Sequence, residues 1–182
     1  KKDLLADGSQ RMEKRIAVLG GSTTNDIISM LELFLLNCGI QPAFYQSEYA
    51  QYWQDAMFDN PELESFQPDL IFIHTTSRNI TEAPLPLSAS EQEVRDALER
   101  QFSHFSQMWE RLHEVYHCPI IQNNFELPST RLMGNRDAWD CHGMVWFIQE
   151  LNRKFGQYAA SHSDFISMTC TIWRQAMGWM PG

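Results

Sequence analysis

The stretch Arg15–Asn25, RIAVLGGSTTN, constrains the fold of this chain more than any other. Ile16–Leu19 is a short apolar run, the pattern of a strand buried on both faces. It ends in Gly20-Gly21, where the backbone can turn tightly or let another group approach closely. Beyond Ser22, Thr23 and Thr24 a helical pattern begins, with Ile27, Ile28, Leu31, Phe34, Leu35 and Cys38 at spacings of three and four. Thr23 with Asp26 three residues on is a weak form of the capping box. Ser22 is thus expected where the first strand hands over to the first helix, near unpaired N–H groups at a positive dipole end. Open α/β sheets bind ligands at the carboxyl ends of their strands. The plainer alternative is that Ser22 only belongs to a strand–helix turn.

The rest of the chain repeats this alternation. Residues 1–13 are polar. Gly39 stops the first helix, and Gln41–Gln46 reads as a second strand. A segment mixing aromatic and acidic residues follows, SEYAQYWQDAMFDNPELESF, read as a short helix and a loop. Leu70–Ile73 is a third strand that opens into the polar loop HTTSRN. Pro84 and Pro86 exclude regular structure from TEAPLPLSAS. A long helix runs from about Ser90 to Tyr116, with Val94, Leu98, Phe105, Met108, Trp109, Leu112 and Val115 as its apolar stripe. A fourth strand starts at Pro119-Ile120-Ile121 and leads into QNNFELPSTRLMGN. Another helix spans roughly Asp140 to Ser161, with Met144, Phe147, Ile148, Leu151, Phe155 and Tyr158 on one face. Phe165–Met168 is a fifth strand, and a last helical piece follows it. Strands alternating with helices mean βαβ units and a largely parallel sheet. A length of 182 residues fits one domain, 1–182.

Charge and composition narrow the partners. The net charge of −9, from 23 acidic and 14 basic residues, disfavours nucleic acid or an anionic membrane. Cys38, Cys118, Cys141 and Cys170 form no CxxC pair and are expected as buried thiols in a reducing compartment. KKDLLADGSQ lacks the apolar core of a signal peptide, and no run is long enough to span a bilayer. The expectation is a soluble, cytoplasmic domain. GxGxxG and GxxxxGK[ST] are both absent, so no nucleotide cofactor is expected.

Three strand ends carry polar clusters: GGSTT, HTTSRN and QNNFE. Parallel strands put all three on one sheet edge, which makes Ser22, Thr23, Thr24, His74, Thr75, Arg78, Asn79, Asn123, Asn124 and Glu126 the candidate site. Asparagine amides there can donate to an oxyanion, and Arg78 can hold a carboxylate or phosphate. Alternatively, Asn123 and Asn124 only satisfy loop backbone groups. His113-Glu114-Val115-Tyr116-His117 matches HExxH, the zinc-protease signature. Its second histidine falls at the end of a helix, at the pole opposite the polar loops, and no metal is expected there. His142, beside Asp140, is the better-placed histidine, with a solvated cap as its plain role.

On RIAVLGGSTT, SEYAQYWQDAMFDN, FQPDLIFIHTTSRNI, CPIIQNNFELP and FIQELN, the chain resembles the N-terminal domain of FkbH-like proteins, along essentially its whole length. The resemblance implies an SGNH-type (GDSL-like) hydrolase fold, a flavodoxin-like three-layer α/β/α sandwich with a mainly parallel five-stranded sheet. It further implies a following phosphatase-like haloacid dehalogenase (HAD) domain. It associates the chain with polyketide starter-unit or cell-surface polysaccharide biosynthesis. Ser22 lies where those hydrolases carry the nucleophile, GGS standing for their GDS, and Asn79 is nearest their oxyanion asparagine. Their oxyanion glycine would fall near Ser47. Thr169 sits where FkbH-like domains tend to have an aspartate, and no histidine follows His162. Two functions are therefore open. One is ester or acyl hydrolysis, or acyl transfer, at Ser22. The other is a catalytically degenerate domain that binds a small-molecule or carrier-bound acyl or sugar substrate, or the adjacent HAD-like domain.

Overall fold

A computed structural model describes residues 10–169; of the last helical piece expected from sequence, all but Thr169 lies outside them. The strands are β1 (Met12–Gly20), β2 (Ile40–Gln46), β3 (Leu70–His74), β4 (Ile120–Asn123) and β5 (Phe165–Met168). The helices are α1 (Asn25–Asn37), α2 (Tyr52–Met57), α3 (Pro61–Phe66), α4 (Glu91–Tyr116) and α5 (Met144–Ser161). The strands form a five-stranded parallel sheet in the order β2-β1-β3-β4-β5, the α/β class expected from the alternation. The described residues form two compact units: 10–74 with 111–121, and 75–110 with 122–169.

In the first unit β1 is central, because Ile16 to Leu19 are at most 5% exposed and need neighbours on both edges. It pairs in parallel with β2 (Ile16 opposite Phe44) and with β3 (Ile16 opposite Leu70). β1 begins earlier than its apolar run, since Met12–Arg15 pair with Ile40–Ala43 through the main chain, which does not depend on side-chain polarity. The connection through α1 moves one way along the sheet, and the connection through α2 and α3 moves back past β1. Right-handed crossovers then put α1 on one face and α2–α3 on the other, giving helix, sheet and helix layers. Two short helices replace the single one expected, because Pro61 cannot continue a helix but suits its first turn. Asn60 caps the new start, its side chain accepting from the Leu63 N–H at 3.0 Å.

α1 ends just before Gly39, as expected, and Gly39 adopts a left-handed φ of 77°. Its buried face differs from the expected one. Leu36 is buried and Ile28, Leu31 and Leu35 are half-buried, whereas Phe34 is 59% exposed and Cys38 is exposed. The helix is apolar nearly all round, so spacing alone does not single out the packed stripe. The thiols also depart from expectation: Cys38, Cys118 and Cys141 are free, but only Cys118 is buried.

The second unit is organised by aromatic rings. Trp109 of α4 lies 4.8 Å from Phe155 and 4.3 Å from Phe165, and Phe105 lies 5.3 Å from Phe155 and 5.5 Å from Phe125. The expected stripe of α4 is buried apart from a half-buried Val115. α5 starts at Met144, later than the expected Asp140, because Asp140–Gly143 forms a turn closed by the Gly143 N–H on the Asp140 carbonyl at 2.9 Å. A β-carbon on Gly143 would stand 2.1 Å from the Asp137 carbonyl oxygen, so only glycine fits there. Asp137 is 1% exposed, and its carboxylate accepts from the N–H groups of Val145 (2.8 Å) and Met133 (3.1 Å). No described helix is long and apolar enough to cross a membrane.

Candidate functional site

The first unit holds Ser22, Thr23, Thr24 and His74. β1 ends in a turn that folds back on itself: a β-carbon on Gly20 would lie 2.6 Å from Thr24 Cγ2 and 2.8 Å from the Ser22 carbonyl oxygen. The Gly20 N–H donates to Ser47 Oγ at 2.8 Å, and the Gly21 N–H donates to the His74 carbonyl at 2.8 Å. The turn is thereby tied to the ends of β2 and β3. Thr24, not Thr23, is the N-cap of α1, and the expected Thr23–Asp26 capping box does not form. Thr24 Oγ1 instead accepts from Gln46 Nε2 at 2.9 Å, which fixes the helix start to β2. Ser22 is half-buried and Thr23 exposed, and neither side chain hydrogen-bonds to another described residue. The Ser47 N–H donates to the Val18 carbonyl at 3.0 Å. His74 is half-buried, its ring 6.2 Å from that of Phe72.

The second unit holds Thr75, Arg78, Asn79, Asn123, Asn124 and Glu126. Asn123 and Thr75 clamp each other: Asn123 Oδ1 accepts from the Thr75 N–H at 2.9 Å and Asn123 Nδ2 donates to the Thr75 carbonyl at 2.6 Å. Behind them, Gln122 Nε2 donates to Thr75 Oγ1 at 3.1 Å, and Trp109 Nε1 donates to Gln122 Oε1 at 2.5 Å. Thr75, Gln122, Asn123 and Trp109 are all at most 2% exposed. A buried polar chain of this kind stabilises only because every member has a partner. Asn79 ends a short 3₁₀ turn, Ser77–Asn79, with its Oδ1 accepting from the Thr76 N–H at 2.9 Å. Glu126 accepts from Ser77 Oγ at 3.0 Å. The Asn124 N–H donates to the Met168 carbonyl at 2.8 Å, and Asn152 holds both backbone groups of Phe125 at 2.8 Å. Arg78 is exposed, and no described carboxylate pairs with it.

Sequence reasoning did not pick out Gln122, Asn152, Asp137 or Gln101. Gln101, 1% exposed, accepts from the N–H groups of Thr81 (2.8 Å) and Glu82 (3.1 Å), anchoring the start of the proline-rich loop to α4. Nothing in one sequence separates a glutamine that anchors a loop from one that faces solvent.

The histidines divide clearly. His117 lies beyond the last residue of α4 in a left-handed backbone conformation, φ 51°, and the HExxH residues do not gather as a donor set. Among the described residues the only metal-capable donor group is Asp140, Cys141 and His142. His142 Nδ1 lies 2.9 Å from Asp140 Oδ1, and Nε2 lies 2.9 Å from the Ala89 carbonyl oxygen. The Ala89 carbonyl and then the Asp140 carboxylate push the His142 pKa up. His142, with help from Arg136, holds Asp140 down at about 2.

No protein-family model matches the sequence, and no curated protein does. Solved structures match by fold. The N-terminal part of the protein BF1531 from Bacteroides fragilis, containing a phosphatase domain and complexed with Mg, superposes with a TM-score of 0.76 at 15% identity. The match covers 97% of this chain and 46% of that one, so this chain spans about half its length. BT4096, a gut microbial diltiazem-metabolizing enzyme, gives 0.54 at 14% identity, over 91% of this chain and 40% of that one. A putative acylhydrolase of Bacteroides fragilis, BF3764, gives 0.49 at 18% identity, over 91% and 73% of the two chains. The chain therefore has the α/β fold found in the N-terminal part of BF1531, a protein in which a phosphatase domain is also present.

Proposed function

We propose that this chain is a recognition domain on an SGNH-like scaffold, binding a small-molecule or carrier-bound acyl or sugar substrate for an adjacent phosphatase-like HAD domain. One observation carries the reading: among the described residues the Ser22 hydroxyl has no hydrogen-bond partner, and so no hydrogen-bonded base. A serine hydroxyl without a base is a poor nucleophile but a good donor and acceptor toward a ligand. In the second unit, the exposed guanidinium of Arg78, unpaired among the described residues, can hold a carboxylate or phosphate. Asp140 and His142 pair as an acid and base would, yet Nε2 donates to the Ala89 carbonyl instead of standing open to a nucleophile. The association with polyketide starter-unit or polysaccharide biosynthesis rests on the family resemblance, as does the HAD-like neighbour.

The second reading, hydrolysis or acyl transfer at Ser22 with Asn79 assisting an oxyanion, is favoured by the glycine turn that presents the hydroxyl. Fluorophosphonate labelling of the purified chain, beside Ser22→Ala, separates the two. The recognition reading expects no Ser22 adduct by mass spectrometry. It also expects a short acyl thioester to shift the backbone amide signals of residues 21–24. An adduct mapped to Ser22 would establish the hydrolase, and unmoved amide signals would remove the binding role.

A further inference from the structure

We infer that Asp140, Cys141 and His142 form a binding site for a divalent transition-metal ion of the zinc type, built into the turn before α5. Their donor atoms all lie within 4.8 Å of one another. His142 Nδ1 is 3.5 Å from Cys141 Sγ and 2.9 Å from Asp140 Oδ1. Zinc bonds of roughly 2.0–2.3 Å to nitrogen, oxygen and sulfur imply tetrahedral edges of about 3.3–3.7 Å. The sulfur–nitrogen edge is already of that length. The nitrogen–oxygen edge, 2.9 Å here, needs to open by about half an ångström on binding.

The hydrogen bond on the far side of the imidazole points the same way. The Ala89 carbonyl can only accept, so His142 Nε2 carries a proton and Nδ1 is the atom turned toward the carboxylate and the sulfur. A bare Nδ1 would aim its lone pair at a carboxylate oxygen 2.9 Å away, so a positive charge belongs between them: a proton or a metal ion. A ring N–H donated to a backbone carbonyl is also how metal-bound histidines are commonly oriented. The side chains of Asp140 and His142 are 14% and 16% exposed, which leaves an approach for the ion and a water as fourth ligand. Thiolate with imidazole selects zinc-type ions over magnesium or calcium. Asp137 holds the turn from beneath, through Val145 and Met133, so the three donors stand on a fixed frame. Through Ala89, a metal ion there would brace the proline-rich loop against the start of α5.

Cobalt(II) titration of the full chain, with its thiols kept reduced, tests the inference. The expected result is one Co²⁺ per chain with thiolate-to-cobalt charge-transfer absorption, displaced by Zn²⁺ and not by Mg²⁺. Cys141→Ser should abolish that absorption and weaken binding by more than the roughly 10–100-fold that loss of an outer-shell partner costs. Asp140→Asn, which preserves side-chain shape, should also weaken binding while circular dichroism shows an unchanged fold. The absorption should persist in Cys38→Ser, Cys170→Ser and the His113→Ala/His117→Ala double variant. Absence of a one-to-one complex, or absorption that survives Cys141→Ser, would overturn the site.

Discussion

The end of β1 and the end of β4 are both polar in sequence, GGSTT against QNN, yet the two are built differently. At β4 the side chains of Gln122 and Asn123 are drawn inside and bonded to Thr75, with Trp109 closing the chain behind them. At β1 the backbone is tied down at Gly20 and Gly21 while the side chains of Ser22 and Thr23 bond no described residue. Both arrangements hold a strand end in place. One does it with side chains and uses them up, and the other does it with main-chain N–H groups and leaves the side chains without a bond to any described residue. Polar residues at a sheet edge are thus of two kinds, and the bonding pattern rather than the residue type separates them.

Substitutions can break this contrast. Asn123→Leu keeps the volume but strands the buried N–H and carbonyl of Thr75, and each orphaned group costs about 1–3 kcal/mol. The variant should show the largest loss of stability in urea denaturation. A loss no greater than that of Ser22→Ala would show that the clamp contributes nothing. Gly20→Ala forces a β-carbon against Thr24 and the Ser22 carbonyl, and overpacking of this kind costs about 1–3 kcal/mol. Its unfolding midpoint should fall between the other two. Ser22→Ala removes a hydroxyl that bonds no described residue and should change stability by no more than about 0.5 kcal/mol.

A final measurement sharpens the contrast by varying pH. Burial pushes the Cys118 thiol from 9.0 up to about 11. The folded chain therefore keeps this proton where the unfolded chain has lost it. Its contribution to stability is full below about 9 and lost as pH rises through 11. Neither strand end contains that thiol, so the gap between Asn123→Leu and Ser22→Ala should hold constant over the same range in denaturant titrations. A gap that narrows with pH would mean that the Thr75 clamp depends on the segment leading into β4.

The elements were largely legible in the sequence because burial imposes periodicity. Ile16–Leu19, the stripe of α4 and the apolar face of α5 each carry the spacing that their packing requires. Where the spacing was degenerate, the reading failed. α1 is apolar on most sides, so Phe34 was placed in the core face although it is exposed. The start of α5 was missed for another reason. Asp137 accepts the Val145 N–H across eight residues, a longer reach than any local capping pattern describes.

By itself, the sequence determined the α/β class, the parallel sheet and the polar character of its strand ends, since these follow from which residues leave water and at what interval. Only the tertiary structure decided which of those polar residues bond to other parts of the fold and which bond no described residue. Thr75 and Asn123, far apart in the chain, acquire their roles by meeting. Cys141 and His142 become a donor pair only when the turn is folded over Asp137 and the ring is anchored on Ala89. Hydrogen bonds between distant residues leave no periodic trace, and for that reason the bonding at the strand ends could be read only from the folded chain.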